Sequence, residues 1–224
     1  MKRLLISGTD TDVGKTVLTT SLAAYWQAYR QGESLGLMKL IQTGIGERYC
    51  QLFTPNPSLE IAVPLSFQTP VAPPIASERE GQPIDLGKVW QAFSSLQEQQ
   101  DFVIVEALGG LGTPVTHELT VADIARDWGL RTVLVVPVKL GAIAQAVANV
   151  SLANSSKVKL QGVVLSCIQP ESEAKLSDWA PIDLIQSLTN VPVLGILPYL
   201  ADLTDLEKLA QVASNLDLER LLLD

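Results

Sequence analysis

Short continuous runs of apolar residues alternate along this chain with longer segments in which apolar residues recur at helical spacing. The runs predict strands that are buried on both faces, and the longer segments predict helices. The predicted strands cover residues 4–6, 34–40, 101–106, 132–138, 162–167 and 193–197, and the predicted helices cover residues 15–30, 85–99, 120–128, 142–154, 182–189 and 206–223. Because helices separate successive strands, we expect parallel pairing with right-handed crossovers. The pattern predicts an α/β fold, a doubly wound and mostly parallel sheet with helices on both faces, in a single domain over residues 1–224.

Residues 54–81 interrupt this alternation. The segment shows no sustained period and carries several prolines, among them Pro70, Pro73 and Pro74, but it retains apolar residues such as Leu65 and Phe67. An ordered loop or short helices that cover a site would explain this mixture. A surface excursion without a function is equally compatible with the composition.

The first predicted strand leads into Gly8-Thr9-Asp10-Thr11-Asp12-Val13-Gly14-Lys15-Thr16, directly before the first predicted helix. In a P-loop, backbone N–H groups cradle phosphates, the lysine reaches the terminal phosphates, and the hydroxyl after it binds magnesium. The helix N-terminus adds unpaired N–H groups and its dipole. Gly8 and Gly14 enclose one residue more than the common pattern does, yet Gly-Lys-Thr has the expected position. The stretch therefore predicts a nucleotide-phosphate loop, in preference to a tight glycine turn that carries a lysine by chance.

Polar residues follow several other predicted strands, at the edge where doubly wound sheets bind ligands. Glu106 ends an apolar strand and could hold magnesium directly or through water, or it could be a solvated cap. Lys39 is expected to face the same pocket, although lysines at strand ends are common. Thr43 and Gly44 could turn the next loop toward the site. Lys139 precedes a predicted helix N-terminus, so an anion site and an ordinary surface lysine both stay open there.

Composition narrows the classes of function. The chain has 224 residues, a formal net charge of −8 and 47% hydrophobic residues. Nucleic-acid partners are not expected, because proteins that bind nucleic acids have basic binding surfaces and this chain is acidic. The chain has no cluster of Lys or Arg and no apolar run of roughly 18 residues, so nothing in it suggests contact with a membrane. Cys50 and Cys167 are far apart, which suggests reduced thiols in a cytoplasmic protein. His117 is the only histidine, which excludes a zinc site built on histidines.

In this order and spacing, the motifs resemble those of the dethiobiotin synthetase family of P-loop proteins. The longer P-loop with its Gly-Thr-Asp-Thr opening is typical of that family. The other matching segments are Lys39 with Gln42-Thr43-Gly44, Val105-Glu106 with Gly109-Gly110, Thr113-Pro114, Val138-Lys139-Leu140-Gly141, the middle loop over residues 70–81, and Val193-Leu194-Gly195-Ile196-Leu197-Pro198. Each motif is weak alone, but together they cover almost the whole chain, with the region after Leu200 weakest. The resemblance implies a P-loop NTPase-like fold.

The resemblance also implies an ATP-dependent cyclo-ligase of biotin biosynthesis. In that family 7,8-diaminopelargonic acid and CO2, or bicarbonate, give a carbamate, which ATP phosphorylates. The second amine then closes the ureido ring of dethiobiotin, and ADP and phosphate are released. Lysines and magnesium must offset the negative charges that this reaction brings together. The family further implies a homodimer, in which the second subunit holds the carboxylate of the diamine.

Carried over by position, the resemblance assigns roles to individual residues. The implied catalytic residues are Lys15, Lys39 and Thr11. The implied magnesium ligands are Thr16, Glu47 and Glu106. The implied substrate contacts are Thr43, Lys139, Leu140 and Gly141. The implied nucleotide contacts are Asp12, Val13, Gly14, Lys15, Thr16, Val17, Glu106, Gly109, Ser166, Cys167, Pro198, Tyr199 and Leu200.

Three positions depart from the family pattern. Glu47 is the nearest counterpart of an aspartate that serves as a further metal ligand. Because its side chain is longer, its loop would have to lie further from the metal, or a water molecule would have to lie between them. Ala107 stands where the family often has glycine, which puts a methyl group near the phosphates. Ser166 replaces an asparagine that often reads the adenine, so the preference for ATP over other nucleotides stays open.

Two rival classes share the P-loop. A partition-type ATPase acts as a nucleotide-dependent switch and usually carries a lysine five residues before the Gly-Lys lysine, where this chain has Asp10. A related amide-forming ligase acts on corrinoid acids and usually adds a glutaminase domain, for which 224 residues leave no room. The switch is therefore the alternative hypothesis.

Overall fold

Strands and helices alternate along most of the chain in the computed structural model, which describes residues 2–44, 51–53 and 58–222. The strands in these ranges are β1 (Lys2–Gly8), β2 (Leu35–Lys39), β3 (Gln42–Thr43), β4 (Leu59–Ala62), β5 (Ser66–Phe67), β6 (Phe102–Gly110), β7 (Arg131–Pro137), β8 (Lys159–Ser166) and β9 (Val193–Leu197). The helices are α1 (Lys15–Tyr29), α2 (Pro73–Glu80), α3 (Leu86–Gln99), α4 (Val121–Asp127), α5 (Ala142–Ser155), α6 (Leu176–Trp179), α7 (Ile182–Thr189), α8 (Leu206–Ser214) and α9 (Leu218–Leu222), with a 3-10 turn at Pro170–Ser172. None of the helices in the described ranges has the length and apolar character that a membrane crossing requires.

Seven strands form one parallel sheet in the order β4-β2-β6-β1-β7-β8-β9. From β1 the chain first builds one side of the sheet, with β2, β4 and then β6, and afterwards the other side, with β7, β8 and β9. The direction of winding reverses at the centre, where the carboxyl ends of the strands open a crevice. This topology confirms the predicted doubly wound α/β fold. The short strands β3 and β5 form a separate parallel pair after β2.

Hydrophobic cores cover both faces of this sheet. Successive residues of β1 point to opposite faces, so Leu5 belongs to one core, and Leu4 and Ile6 belong to the other. On the first face the core takes in Phe93 of α3, Ile124 of α4, Ala146 of α5 and Ile185 of α7. On the second face it takes in Leu18 and Leu22 of α1, Leu209 of α8 and Leu221 of α9. The helices therefore lie on both faces, as the sequence predicts.

Side-chain caps set the start of several helices. Asp85 caps α3 by accepting a hydrogen bond from the Lys88 N–H at 3.0 Å, and Asp205 caps α8 in the same way. At α4, Thr120 and Asp123 exchange hydrogen bonds in a capping box. These bonds satisfy N–H groups that have no acceptor within the helix. The start of each of these helices consequently agrees with the sequence prediction to within one residue.

Strands β4 and β5 occupy part of residues 54–81, for which we predicted a loop or short helices. That prediction missed both strands but anticipated α2. Strand β4 joins the main sheet as its edge strand, with Leu59 as the register partner of Leu35 in β2. A strand of four residues is too short to show a hydrophobic period in the sequence.

Two further boundaries differ from the prediction. The loop expected at residues 107–116 begins only after Gly110, because β6 stays paired with β1 as far as Gly8 and Gly110. The single helix expected at residues 206–223 is divided into α8 and α9. Between them the Asp217 N–H donates to the carbonyl of Leu194 in β9 at 2.7 Å, which ties the chain to the sheet.

Candidate active site

The loop between β1 and α1 wraps around the side chain of its own lysine. Lys15 is the first residue of α1, and its Nζ donates a hydrogen bond to the backbone carbonyl of Asp10 at 2.7 Å. The Thr9 N–H ties the loop to the sheet by donating to the carbonyl of Val135 at 3.0 Å. Because α1 starts here, the N–H groups of its first turn lack acceptors within the helix and are suited to phosphate oxygens.

Gly14 provides a backbone conformation and a close approach that other residues would disturb. Its φ angle is 100°, and a Cβ atom built on it would lie 2.2 Å from Ser166 Oγ at the end of β8. Asp12 also has a positive φ of 54°. Two left-handed residues thus shape the loop, and glycine is required where it packs against Ser166.

Thr16, Lys39 and Glu106 meet at the carboxyl ends of β2 and β6. Lys39 and Glu106 are register partners on these adjacent strands, and the Lys39 ammonium forms an ion pair with Glu106 Oε1. The Thr16 hydroxyl donates to the same oxygen at 2.9 Å. Glu106 is 0% exposed, and its Oε2 has no hydrogen-bond partner among the described residues. A hydroxyl beside a carboxylate with a spare oxygen fits the hard oxygen ligands that magnesium prefers.

The Lys15 ammonium is desolvated in this site. Burial lowers the pKa of Lys15 from 10.5 to about 8, against the opposing effect of the Glu106 carboxylate. The nearby Lys39 ammonium lowers the pKa further, whereas Asp12 and Asp10 raise it. Added negative charge would stabilise the protonated lysine, so the site is electrostatically prepared for an anion such as a phosphate group.

A cavity of about 700 Å³ connects these charged groups to an apolar wall. The charged groups lie at the ends of β1, β2 and β6. The apolar wall follows β8 and β9, on the other side of β1, and is formed by Cys167, Ile168, Pro198, Tyr199, Leu200 and Leu203. A charged end for phosphates and an apolar end for a flat base suit a nucleotide.

A second hollow of about 450 Å³ adjoins the first. The two hollows share Thr11, Gly109 and Thr113, and the second continues to Asn149 and Leu152 on α5. The P-loop therefore has room for a ligand on a second side, next to Thr11.

Most of the site residues predicted from the sequence lie together around the larger cavity. The lining includes Thr11, Asp12, Gly14, Lys15, Thr16, Val17, Lys39, Thr43, Glu106, Gly109, Ser166, Cys167, Pro198, Tyr199 and Leu200. The structure thus brings these side chains and backbone segments together, while their individual roles stay predictions.

The remaining predicted site residues are placed elsewhere. Val13 is buried in the core beside β1, so its side chain does not line the cavity. Lys139, Leu140 and Gly141 are not in its lining either, and the Leu140 side chain is 83% exposed. Glu47 lies outside the described residues, so its role as a metal ligand stays a prediction.

Several lining residues were not predicted as site residues. They are Gln42, Val63, Pro70, Val71, Ala72, Leu108, Thr113, Ile168 and Leu203. Pro70, Val71 and Ala72 come from the proline-rich segment, which favours the reading of that segment as a cover over the site. The other apolar positions look like ordinary core residues in the sequence, so no signal there could have identified them.

Similarity to known proteins identifies the family. Residues 2–207 match a family model described as an AAA domain. The chain is 68% identical to the ATP-dependent dethiobiotin synthetase BioD of Gloeothece citriformis, with 99% of each chain covered. It is 57% identical to the ATP-dependent dethiobiotin synthetase BioD of Crocosphaera subtropica, with 99% of this chain and 100% of the relative covered.

Solved structures show the same fold at low identity. A ParA family ATPase from Chlorobium tepidum matches with a TM-score of 0.63 and 12% identity, covering 100% of this chain and 99% of that chain. The MinD cell division protein of Aquifex aeolicus matches with a TM-score of 0.56 and 15% identity, covering 97% and 88%. These likenesses confirm a P-loop NTPase-like fold and lend the switch hypothesis nothing beyond the fold. Identity over the full length to the synthetases is far higher, and this chain belongs to the ATP-dependent dethiobiotin synthetase family.

Proposed function

We propose that this protein is a cyclo-ligase that closes the ureido ring of dethiobiotin from 7,8-diaminopelargonic acid, CO2 and ATP. The observation that carries the proposal is the convergence of Lys15, Lys39, Thr16 and Glu106 on one cavity, in a chain of this family. Two cations and a buried carboxylate are the groups that a transfer of phosphate to an anionic acceptor requires.

The reaction has three bond-forming steps. One amine of the diamine adds to CO2 and loses a proton, which gives a carbamate. A carbamate oxygen attacks the γ-phosphorus of ATP, and ADP leaves. The second amine then attacks the carbamate carbon and loses a proton, and the bond from that carbon to the phosphate-bearing oxygen breaks to release phosphate.

The protein groups act by position and charge. Lys15 contacts the γ-phosphate and the carbamate, and Lys39 stabilises the phosphoryl group during transfer. Thr11 and Thr43 contact the diamine end, which is supported by the position of Thr11 between the two hollows. No side chain has to form a covalent bond with the substrate, because the carbamate itself is the nucleophile.

Magnesium is the metal that we propose for this site. Thr16 and Glu106 would hold it, with Glu47 as a further ligand, and the Glu106 Oε2 atom without a partner supports this assignment. When bound, the metal would neutralise charge on the phosphate oxygens. The residues Asp12, Gly14, Val17 and Gly109 would surround the phosphates, and Ser166, Cys167, Pro198, Tyr199 and Leu200 the nucleoside end, as their positions in the lining support.

The proposed assembly is a homodimer that acts in the cytoplasm, each chain being a single domain. In it, Lys139, Leu140 and Gly141 of one subunit would hold the diamine carboxylate in the site of the other. Their position outside the cavity of their own chain, and the exposure of Leu140, support this arrangement.

Phosphate release from Mg-ATP in bicarbonate buffer tests the proposal. We expect release to require the diamine, and we expect a monoamine of equal length to give no ring product. Slow ATP hydrolysis at a rate that does not depend on the diamine would contradict ring closure and would favour the nucleotide-dependent switch.

A further inference from the structure

A glutamate outside the cavity lining holds part of the wall at the apolar end. Glu173 follows the 3-10 turn after β8, and its Oε1 accepts a hydrogen bond from the Tyr199 N–H at 3.0 Å. Tyr199 itself lines the cavity, between Pro198 and Leu200. The carboxylate therefore acts on the backbone of the cavity wall from behind.

The turn that carries Glu173 is fixed to the sheet. The neighbouring Ser172 is 0% exposed, and its hydroxyl donates to the carbonyl of Val138 at 3.0 Å. Val138 follows β7, and its own N–H donates to the carbonyl of Ser166 at 2.8 Å. A buried hydroxyl bonded in this way holds the turn in one place. The Glu173 carboxylate is thus presented from a rigid base.

The backbone of residues 198–201, which form part of the apolar wall, makes few other hydrogen bonds. At its start the Cys167 N–H donates to the carbonyl of Leu197 at 2.9 Å, and at its end Asp202 accepts two hydrogen bonds from Thr204. The bond from Tyr199 to Glu173 is the only hydrogen bond that the backbone N–H groups of residues 199–201 donate to any of the described residues. The position of the Tyr199 peptide therefore depends on this carboxylate.

A second observation places the Glu173 charge close to the same end of the cavity. Burial, and next to it the Glu173 carboxylate, raises the pKa of the Cys167 thiol to about 11. Cys167 lines the apolar wall beside Ile168. The carboxylate thus lies near both sides of the wall, at Tyr199 and at Cys167.

We propose that Glu173 is a positioning residue for the nucleoside part of the nucleotide. By accepting the hydrogen bond from the Tyr199 N–H, it fixes residues 198–200, which contact the nucleoside. This inference rests on the proposed function, because it takes the apolar end of the cavity as the nucleoside site. It assigns no contact between Glu173 and the phosphates. Loss of the carboxylate therefore weakens binding of nucleotides but not of a phosphate chain alone.

Four proteins and two ligands test the inference: wild type, Glu173→Ala, Glu173→Gln and Glu171→Ala, each with ATP and with inorganic tripolyphosphate. For Glu173→Ala we expect KM for ATP to rise about 3- to 10-fold, the effect of losing one exposed, charge-assisted hydrogen bond, with kcat nearly unchanged. Inhibition by tripolyphosphate, which has no nucleoside, is expected to stay as in wild type.

The matched variants separate the hydrogen bond from other effects. Glu173→Gln keeps an oxygen acceptor and is expected to restore most of the affinity for ATP. Glu171 is an exposed glutamate on the same turn, and Glu171→Ala is expected to behave as wild type. An unchanged KM in Glu173→Ala, or equal losses for ATP and tripolyphosphate, would overturn the inference. If wild type bound tripolyphosphate but no ATP, the proposed function would fail instead.

Discussion

Lys39 and Glu106 are register partners on β2 and β6, and the ammonium of one compensates the buried carboxylate of the other. Thr16 donates to the same carboxylate oxygen. The proposed metal ligands include Thr16 and Glu106, so a bound divalent cation would compete with the Lys39 ammonium for the charge of the Glu106 carboxylate. Cation binding would then release the Lys39 ammonium toward the phosphoryl group, which links metal loading to catalysis.

Lys39→Met tests the proposed catalytic role of Lys39. The variant keeps the length of the side chain and removes its charge. We expect turnover to fall about 100-fold or more, because the charge acts on the transferring phosphoryl group. Binding of ATP, measured by calorimetry without the diamine, is expected to change little. Near-normal turnover in this variant would remove Lys39 from the catalytic set.

The same variant tests competition between lysine and metal. In protein without nucleotide, Lys39→Met is expected to bind Mn²⁺, a substitute for Mg²⁺, more tightly than wild type does, because the Glu106 carboxylate loses the ammonium that offsets its charge. Lys15→Met is the comparison variant: it also removes a positive charge near Glu106, but Lys15 donates to the Asp10 carbonyl and not to Glu106, so we expect a smaller gain in Mn²⁺ affinity. Electron paramagnetic resonance of free Mn²⁺ gives both affinities. Equal Mn²⁺ affinity in wild type and Lys39→Met would contradict the competition.

Thr16→Val tests the hydroxyl as a metal ligand. Valine has the shape of threonine but no oxygen, so we expect a higher magnesium concentration to be needed for half-maximal turnover. Thr20→Val is a suitable control, because the Thr20 hydroxyl lies one turn further along α1 and donates to the Thr16 carbonyl at 2.7 Å. Its magnesium dependence is expected to match that of wild type. The same magnesium requirement in both variants would count against the assignment.

Lys15 gives the protein a pH dependence of defined sign. Its pKa is lowered from 10.5 to about 8, chiefly by burial, so between these values the native state binds fewer protons at Lys15 than the unfolded chain does. The cost of burying the ammonium is present in full below pH 8 and is relieved as pH rises. The contribution of Lys15 to the free energy of unfolding therefore increases with pH in this window.

Urea unfolding of wild type and Lys15→Met measures that contribution. The free energy of unfolding of wild type minus that of the variant is expected to grow with pH above about 8. Taking the difference removes the effect of Cys167, whose raised pKa of about 11 acts in both proteins and with the opposite sign. A flat difference across the window would show that the pKa of Lys15 is not lowered.

The sequence was sufficient for the parts of the site that lie at strand ends. Lys39 and Glu106 follow apolar runs, and strands in a parallel sheet end at one edge, so their proximity could be expected. The contact of both Thr16 and Lys39 with Glu106 Oε1 could not be expected, because it depends on the register of β2 against β6 and on the rotamers of three side chains. Glu173 carried no sequence signal, since its contact with Tyr199 joins two distant loops.

The fold was predictable where strands are long and apolar, and less so where tertiary pairing defines an element. Strand β5 has two residues, Ser66 and Phe67, and exists through its pairing with β3. The break after α8 arises because Asp217 bonds to Leu194 in β9. Local propensity contains no information about such partners.

In the proposed reaction a carbamate oxygen, which comes from CO2, attacks the γ-phosphorus. A single-turnover reaction with CO2 labelled with oxygen-18 tests it most directly, with mass analysis of both the phosphate and the ring product. We expect dethiobiotin and a phosphate that contains one labelled oxygen, because the bridging oxygen leaves with phosphorus when the ring closes. Unlabelled phosphate alongside ADP, with no ring product, would rule out attack by the carbamate and show hydrolysis of ATP by water.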